Sequence, residues 1–449
     1  MASKFGVGTF ITDETELTTD ILDLFYKPPV DRGLISGFPI DYPPVNSIND
    51  EGPFEFYVPK DPEHYTMMPM TRLSGVVEVL NNAGSTALTE TTLTSCVNLF
   101  TQSLFKQVEL EVMGTQVCDL STPSYAYKAY IESHLGYSNQ AKESHLAMAL
   151  YEKDTPGKEN NFLVAGANNT AATCTNDGLL KRAKVLRKKF NFSQTVHVDF
   201  LQCAKLLLPN VDLKFKFIRN PDTFSLLETT LGGKIKIHKL KLTVHKVVVN
   251  PQIRVMHEQA LASGRFAHYP IQQSKIKSFL INSGSTSTNI TQIFNGTLPR
   301  HLMIGFVDTK GFNSTINGNP FKFGNFGISY FDLTLNGKSV RTPFQVDFEG
   351  GQTAELYRWF LDNTGTKNEN TTNGITHEDF VNNSCFFAYD FSPDLSNGFY
   401  LNHTNHGHLD LSLSFKTAPT SNVYMIVYAI FNQFVEIDSE RNVKISDVE

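Results

Sequence analysis

Two stretches of this chain repeat one plan. Val108-Glu-Leu-Glu-Val-Met-Gly-Thr-Gln-Val117 and Phe331-Asp-Leu-Thr-Leu-Asn-Gly-Lys-Ser-Val340 share three alternating apolar residues, an acid after the first, a Gly six positions on and a Val three later. A helical pattern follows both, Tyr127-Lys-Ala-Tyr-Ile-Glu132 in one case and Tyr357-Arg-Trp-Phe-Leu-Asp362 in the other. Further on, Val211-Asp-Leu-Lys-Phe-Lys-Phe217 answers Leu409-Asp-Leu-Ser-Leu-Ser-Phe415. The three offsets are 223, 230 and 198 positions. Drifting offsets mean loops of unequal length on a shared strand plan. Alternation of apolar and polar residues is the signature of a strand with one buried face, so the repeated unit reads as a β-sandwich.

The repeat makes a local prediction. Asn336-Gly337 is a strong hairpin signal, because a type I′ turn needs φ > 0 at both central residues. Met113-Gly114 sits at the matching place and reaches such a turn with strain on Met, or by a bulge with Gly in the left-handed region. Gly114 and Gly337 are therefore expected at equivalent hairpin positions.

Composition supports a large β core. Hydrophobic residues are 41%, aromatics 12%, and charged residues 19%, below the ordinary quarter. Phe, Tyr, Val and Thr suit pleated, half-buried surfaces. Strands are expected at 54–58, 73–80, 108–112, 211–217, 235–237, 240–244, 275–281, 301–307, 328–335, 409–415 and 422–435. Helices are expected at 125–135, 140–151 and 251–263, the last with Pro251 in its first turn and Gly264 just past its end. The polar stretches 283–298 and 365–376 read as surface loops. The organisation that follows is an arm at 1–52, a first sandwich at 53–250, a linker helix at 251–264, and a second sandwich with a C-terminal tail at 265–449. The fold class is all-β, a double jelly roll of two tandem eight-stranded sandwiches with short inserted helices. Jelly rolls serve viral capsids, lectins and cupins, and composition does not choose among them.

The arm is distinct. Thr12 can cap a helix whose Leu17, Ile21, Leu24 and Phe25 form one apolar stripe, with Asp13, Glu14 and Glu16 in the first turn where the helix dipole favours anions. Pro28-Pro29 stops it, and the rest to residue 52 reads as extended connection. The stripe makes these four residues candidates for an assembly contact, with docking on the chain's own body as the competing reading. Ten acids against four bases in residues 1–60 account for the whole formal charge of −6. The remaining residues balance, which argues against strong nucleic-acid binding. No apolar run has membrane-spanning length, and the N-terminal residues show no secretory h-region. Five scattered cysteines without C-x-x-C spacing read as reduced thiols.

Motifs that carry chemistry are sparse. His406-Gly-His408, with His403 nearby, has the form of a cupin ligand pair, but no Glu follows, and the segment reads as a loop with solvated histidines. Lys181, Arg182, Lys184, Arg187, Lys188 and Lys189 place six bases in nine residues, a candidate nucleic-acid contact or import signal. The competing reading is a solvated loop-to-strand edge protected by Lys. Eight Asn-x-Ser/Thr sites read as turn chemistry. There is no P-loop, G-x-S-x-G or H-E-x-x-H, so neither an enzyme nor a cofactor is expected.

Taken in order, Gly52-Pro-Phe-Glu-Phe56, Asn98-Leu-Phe-Thr-Gln-Ser-Leu-Phe-Lys-Gln-Val-Glu-Leu110, Tyr125-Ala-Tyr-Lys-Ala-Tyr-Ile-Glu132, Tyr269-Pro270, Leu298-Pro299-Arg300, Asn319-Pro320-Phe321, Gly374-Ile-Thr-His-Glu-Asp-Phe380, Ala388-Tyr-Asp-Phe391 and Val435-Glu-Ile-Asp-Ser-Glu-Arg-Asn-Val443 resemble the major capsid (hexon-like) protein of polintons, or Mavericks, and adintoviruses. The resemblance runs over almost the whole length. It implies a double jelly roll whose homotrimer forms a pseudo-hexameric capsomer of an icosahedral capsid, similar in plan to the adenovirus hexon. It implies a virion location after assembly in the host nucleus or cytoplasm. The partners it implies are the chain itself, neighbouring capsomers, penton and minor capsid proteins, with at most weak contact to packaged DNA. The alternatives are a glycan-binding double β-sandwich and a cupin-like metal protein.

Overall fold

A computed structural model describes residues 30–49, 51–81, 83–89, 92–118, 125–162, 174–228, 232–365, 372–392 and 405–447. The first half builds eight sandwich strands: β1 (Leu34–Tyr42), β2 (Phe54–Val58), β3 (Tyr65–Leu80), β4 (Phe105–Val112), β5 (Thr115–Gln116), β6 (Phe190–Thr195), β7 (Leu213–Arg219) and β8 (Lys234–Val249). The second half builds eight that correspond, β9 (Ala267–Ile281), β10 (Ser287–Thr297), β11 (His301–Asp308), β12 (Ile328–Leu335), β13 (Lys338–Ser339), β14 (Phe386–Asp390), β15 (His406–Phe415) and β16 (Val423–Ile437), with Phe344–Gln345 added beside β12 and Val443–Asp447 beside β16.

The two halves have the same topology. The first half's sheets run β1-β8-β3-β6 and β2-β7-β4-β5, and the second half's run β9-β16-β11-β14 and β10-β15-β12-β13. Adding eight to every strand number of the first half reproduces the second. This is the double jelly roll. The three repeated sequence segments fall on matching elements: β4 with β12, β7 with β15, and helix α1 (Tyr125–Gly136) with helix α4 (Ala354–Asn363). Helix α2 spans Asp177–Leu186 and helix α3 spans Pro251–Ala262.

Several expectations require correction. The boundary at 52/53 cuts through the first sandwich, because residues 34–42 are not connection. They are β1, an antiparallel edge strand paired with β8 from Leu34↔Val249 to Tyr42↔Leu242. The expected loop at 283–298 contains β10, which pairs with β15. The expected helix at 140–151 is two short ones, Asn139–Glu143 and a 3₁₀ turn at His145–Ala149. Part of the C-terminal tail, Val443–Asp447, is a strand alongside β16. The longer sandwich strands that the sequence hid, β1, β6, β10 and β14, are all edge strands. β1 and β10 bury too little of either face to impose alternation, and β14 is buried at every residue from Phe386 to Tyr389, so it does not alternate either.

The cores are aromatic. Phe54, Phe56, Phe105, Phe215 and Phe217 pack in the first sandwich, and Phe306, Phe331, Phe386 and Phe387 in the second. Helix α1 joins them. It belongs in sequence to the first half, yet the Tyr130 ring stacks on Phe321 of the second, with centroids 4.4 Å apart and planes 1° from parallel. Nearly every side chain of α1 is buried, as expected of a helix enclosed on all sides.

Candidate functional site

The repeated hairpins are built alike. Met113-Gly114 connects β4 to β5 across the Val112↔Thr115 pair, and Asn336-Gly337 connects β12 to β13 across Leu335↔Lys338. φ is +51° at both Met113 and Asn336, +78° at Gly114 and +76° at Gly337. Both are two-residue turns with left-handed φ at each central position. The amide of Asn336 also holds the neighbouring strand β15, its Oδ1 accepting from the His408 N–H at 3.0 Å.

The histidine pair lies differently from expectation. His406 and His408 are on strand β15, not in a loop, and His403 lies outside the described residues. Among the described residues no three His, Cys, Asp or Glu side chains come together as metal ligands.

The basic run is also redistributed by the fold. Residues 177–186 form α2, capped by Asn176, whose side chain accepts from the Leu179 N–H. The sequence suggested a loop-to-strand edge there. Helical spacing turns Arg182 inward while Lys181 and Lys184 face solvent, as do Lys188 and Lys189 beyond the helix; Arg187 is half-buried. Lys181 and Lys189 face Glu152 at 3.3 Å and Glu78 at 3.5 Å. The six bases therefore do not form one surface. The arm stripe Leu17, Ile21, Leu24 and Phe25 lies outside the described residues.

The titratable cluster that the sequence did not reveal lies on the seam between the sandwiches. Lys128 of α1 ion-pairs with Asp199 and lies 3.6 Å from Glu132 one turn on. Glu132 contacts His197 Nδ1 at 2.6 Å and accepts from the Tyr428 hydroxyl at 3.0 Å. Asp199 accepts from the Ser274 N–H at 3.0 Å and from its hydroxyl. Burial works against the Glu132 charge, but Lys128, His197 and Tyr428 hold its carboxyl down to about 2. Glu132, His197, Asp199 and Tyr428 border a groove of about 940 Å³ whose walls include Ile131, Met303, Ile430 and Phe434. They spend their hydrogen bonds on one another, tying α1 to β9 and β16. The one visible signal in the sequence was the i,i+4 Lys128/Glu132 pair on the repeated helix.

A second buried cluster crosses the same seam. Lys142 Nζ donates to the carbonyl oxygens of His134 at 2.6 Å and Asn373 at 2.5 Å. Burial, with a contribution from Lys153, pushes its ammonium down to about 7. His134 Nε2 lies 2.8 Å from the Ser384 hydroxyl.

No protein-family model matches the chain. An uncharacterised Caenorhabditis elegans protein is 23% identical over 88% of this chain and 94% of its own length. Among solved structures, a chain of the Sputnik virophage aligns with TM-score 0.64 at 12% identity, over 97% of this chain and 93% of that one. A chain of the PBCV-1 virus capsid gives 0.59 at 14%, over 95% and 100%. The mavirus major capsid protein gives 0.53 at 12%, over 97% and 96%. Similarity at this identity, spanning both chains end to end, rests on the backbone plan, and the fold of this chain is the double jelly roll.

Proposed function

We propose that this chain is a major capsid protein of the polinton and adintovirus type. Three copies form a pseudo-hexameric capsomer, and capsomers tile an icosahedral shell around DNA. The observation that carries the reading is the identical strand order of the two sandwiches. One chain then offers two similar corners, and a closed ring of three offers six, which suits a hexagonal lattice. Similarity in fold to the PBCV-1 capsid chain and the mavirus major capsid protein supports it.

The partners are further copies of the chain, then neighbouring capsomers with penton and minor capsid proteins. The virion is its location. Contact with packaged DNA is weak, because the body beyond the acidic N-terminal region is neutral and one base of the 181–189 run is buried in structure. No helix among the described residues is long and apolar enough to cross a membrane.

Light scattering on purified protein tests the reading. Closed trimers return about three times the 50.3 kDa chain mass. A monomer that persists at micromolar concentration overturns it.

A further inference from the structure

Two large apolar side chains exposed to solvent, Leu34 on β1 and Phe266 just beyond α3, line one groove. On the neighbouring stretches Ile35 of β1 and Met256 of α3 are 61% and 64% exposed. Helix α3 buries only Leu261. Between α3 and the starts of β1 and β9 runs a groove of about 480 Å³. Its walls include Leu34, Leu206, Leu208, Ile253, Leu261 and Phe266. A helix with one buried residue and an apolar groove along its flank needs a cover.

The N-terminal end of the described chain lies at this groove. The Asn250 N–H, at the start of α3, donates to the Gly33 carbonyl at 2.9 Å. Gly33 and Leu34 line the groove. Val30, the first residue of the described chain, is three positions before Gly33. Phe25 lies five residues earlier in the sequence, a span of at most about 17 Å when extended. Helix α3, with 12 residues, is about 18 Å long. The apolar stripe of Leu17, Ile21, Leu24 and Phe25 is thus within reach of the whole groove.

Charge points the same way. Lys205 and Arg265 rim the groove, with His257 bonded to the Tyr65 hydroxyl at 2.9 Å and His268 facing Glu436 at 3.1 Å. The nearby acid Glu258 is engaged by Arg441 at 2.6 Å. Residues 12–29 carry Asp13, Glu14, Glu16, Asp20 and Asp23 against Lys27 alone. An acidic amphipathic segment fits an apolar trough with a basic rim.

We propose that residues 12–29 of the same chain seat in the groove between α3, β1 and β9, with Leu17, Ile21, Leu24 and Phe25 facing its apolar walls and the acids facing Lys205 and Arg265. Tethering favours the chain's own segment over a free competitor, because a short linker gives a local concentration on the order of millimolar. The seat stands apart from the capsid reading and is testable without it.

The test places a benzophenone amino acid at Phe266, an exposed position, in the full-length chain. That chain is co-expressed with a second one that lacks the cross-linker and is marked by Ile21→Val. Mass spectrometry after irradiation is expected to find residues 12–29 of the unmarked chain joined to position 266. Joining to the marked segment overturns the same-chain seat and assigns the groove to an exchanged segment of a second copy. Cross-links elsewhere, or none, overturn docking altogether. In the Leu24→Asp, Phe25→Asp chain the yield is expected to fall roughly tenfold or more, since two apolar anchors are lost. The marked-chain experiment does not depend on that variant's folding.

Discussion

Asp154 accepts a hydrogen bond from Arg182 Nη2 at 2.7 Å where both side chains are shut off from water, with exposures of 9% and 0%. The other guanidinium nitrogens donate to the Cys96 and Glu152 carbonyls at 3.0 and 2.7 Å. This one arginine thus fastens α2 to the short strand at Thr94–Cys96 and to the loop ahead of it. Replacing it leaves Asp154 buried beside an apolar side chain. Arg182→Met is expected to cost about 3–5 kcal/mol in urea unfolding, whereas Lys184→Met, on the solvent face of the same helix, costs under about 0.5 kcal/mol. Equal effects of the two would refute the structural role.

The same residue shows where sequence reading stops. A run of bases is visible, but the acid that draws one of them inward lies 28 residues away, in a segment with no periodicity of its own. Strands with one buried face were legible: β4, β7, β12 and β15 alternate because burial selects every second residue. Edge strands β1 and β10 were not. β1 exposes most of both faces, and β10 is largely polar and exposed, so hydrogen bonds to β8 and β15 are what make them strands. The seam cluster was hidden for a third reason. Lys128, His197, Ser274 and Tyr428 meet only after both sandwiches have formed.

The hairpin glycines admit a matched test. A Cβ built on Gly114 or on Gly337 meets no atom within 4 Å, so steric collision with neighbours cannot be the reason for glycine. Backbone conformation is the reason, since φ is +78° and +76° there. Gly114→Val and Gly337→Val are each expected to cost on the order of 1–2 kcal/mol, and to cost alike. A large loss at one position with none at the other would show that the two turns are not equivalent.

Lys142 predicts a pH dependence. Its folded-state value of about 7 lies below the 10.5 of a free lysine. Between those two values the unfolded chain binds more protons, so stability rises with pH through that window, by at most about 1.4 kcal/mol per pH unit. Glu132 acts in a separate window. Its value of about 2 lies below the usual 4.5, so its contribution is complete above 4.5 and is lost as pH falls toward 2. Urea unfolding from neutral pH to pH 10 is expected to show the stability difference between the wild-type chain and Lys142→Met shifting toward the wild type as pH rises. A difference that stays constant over that range would mean that Lys142 keeps an ordinary lysine value.

The seam itself can be tested through Tyr130 and Phe321, whose rings stack face to face between the halves. Tyr130 also stacks on His134 and Phe323, with centroids 5.1 and 6.0 Å away, and Phe321 meets Tyr127 edge-on at 5.8 Å. Each single change to Ala opens a cavity in a fully formed core and is expected to cost about 3–5 kcal/mol. Because the rings touch, the double variant is expected to lose less than the two single losses together, by about 0.5–1.5 kcal/mol. The calorimetric consequence is more telling. While the aromatic seam is intact, the two sandwiches bury surface against each other and are expected to melt in one transition. With Phe321→Ala the coupling weakens, and the trace is expected to broaden or divide into two. If the variant melts lower but with the same single sharp transition, the halves are held together elsewhere, and the ion-paired cluster of Lys128, Asp199 and Glu132 becomes the next place to cut.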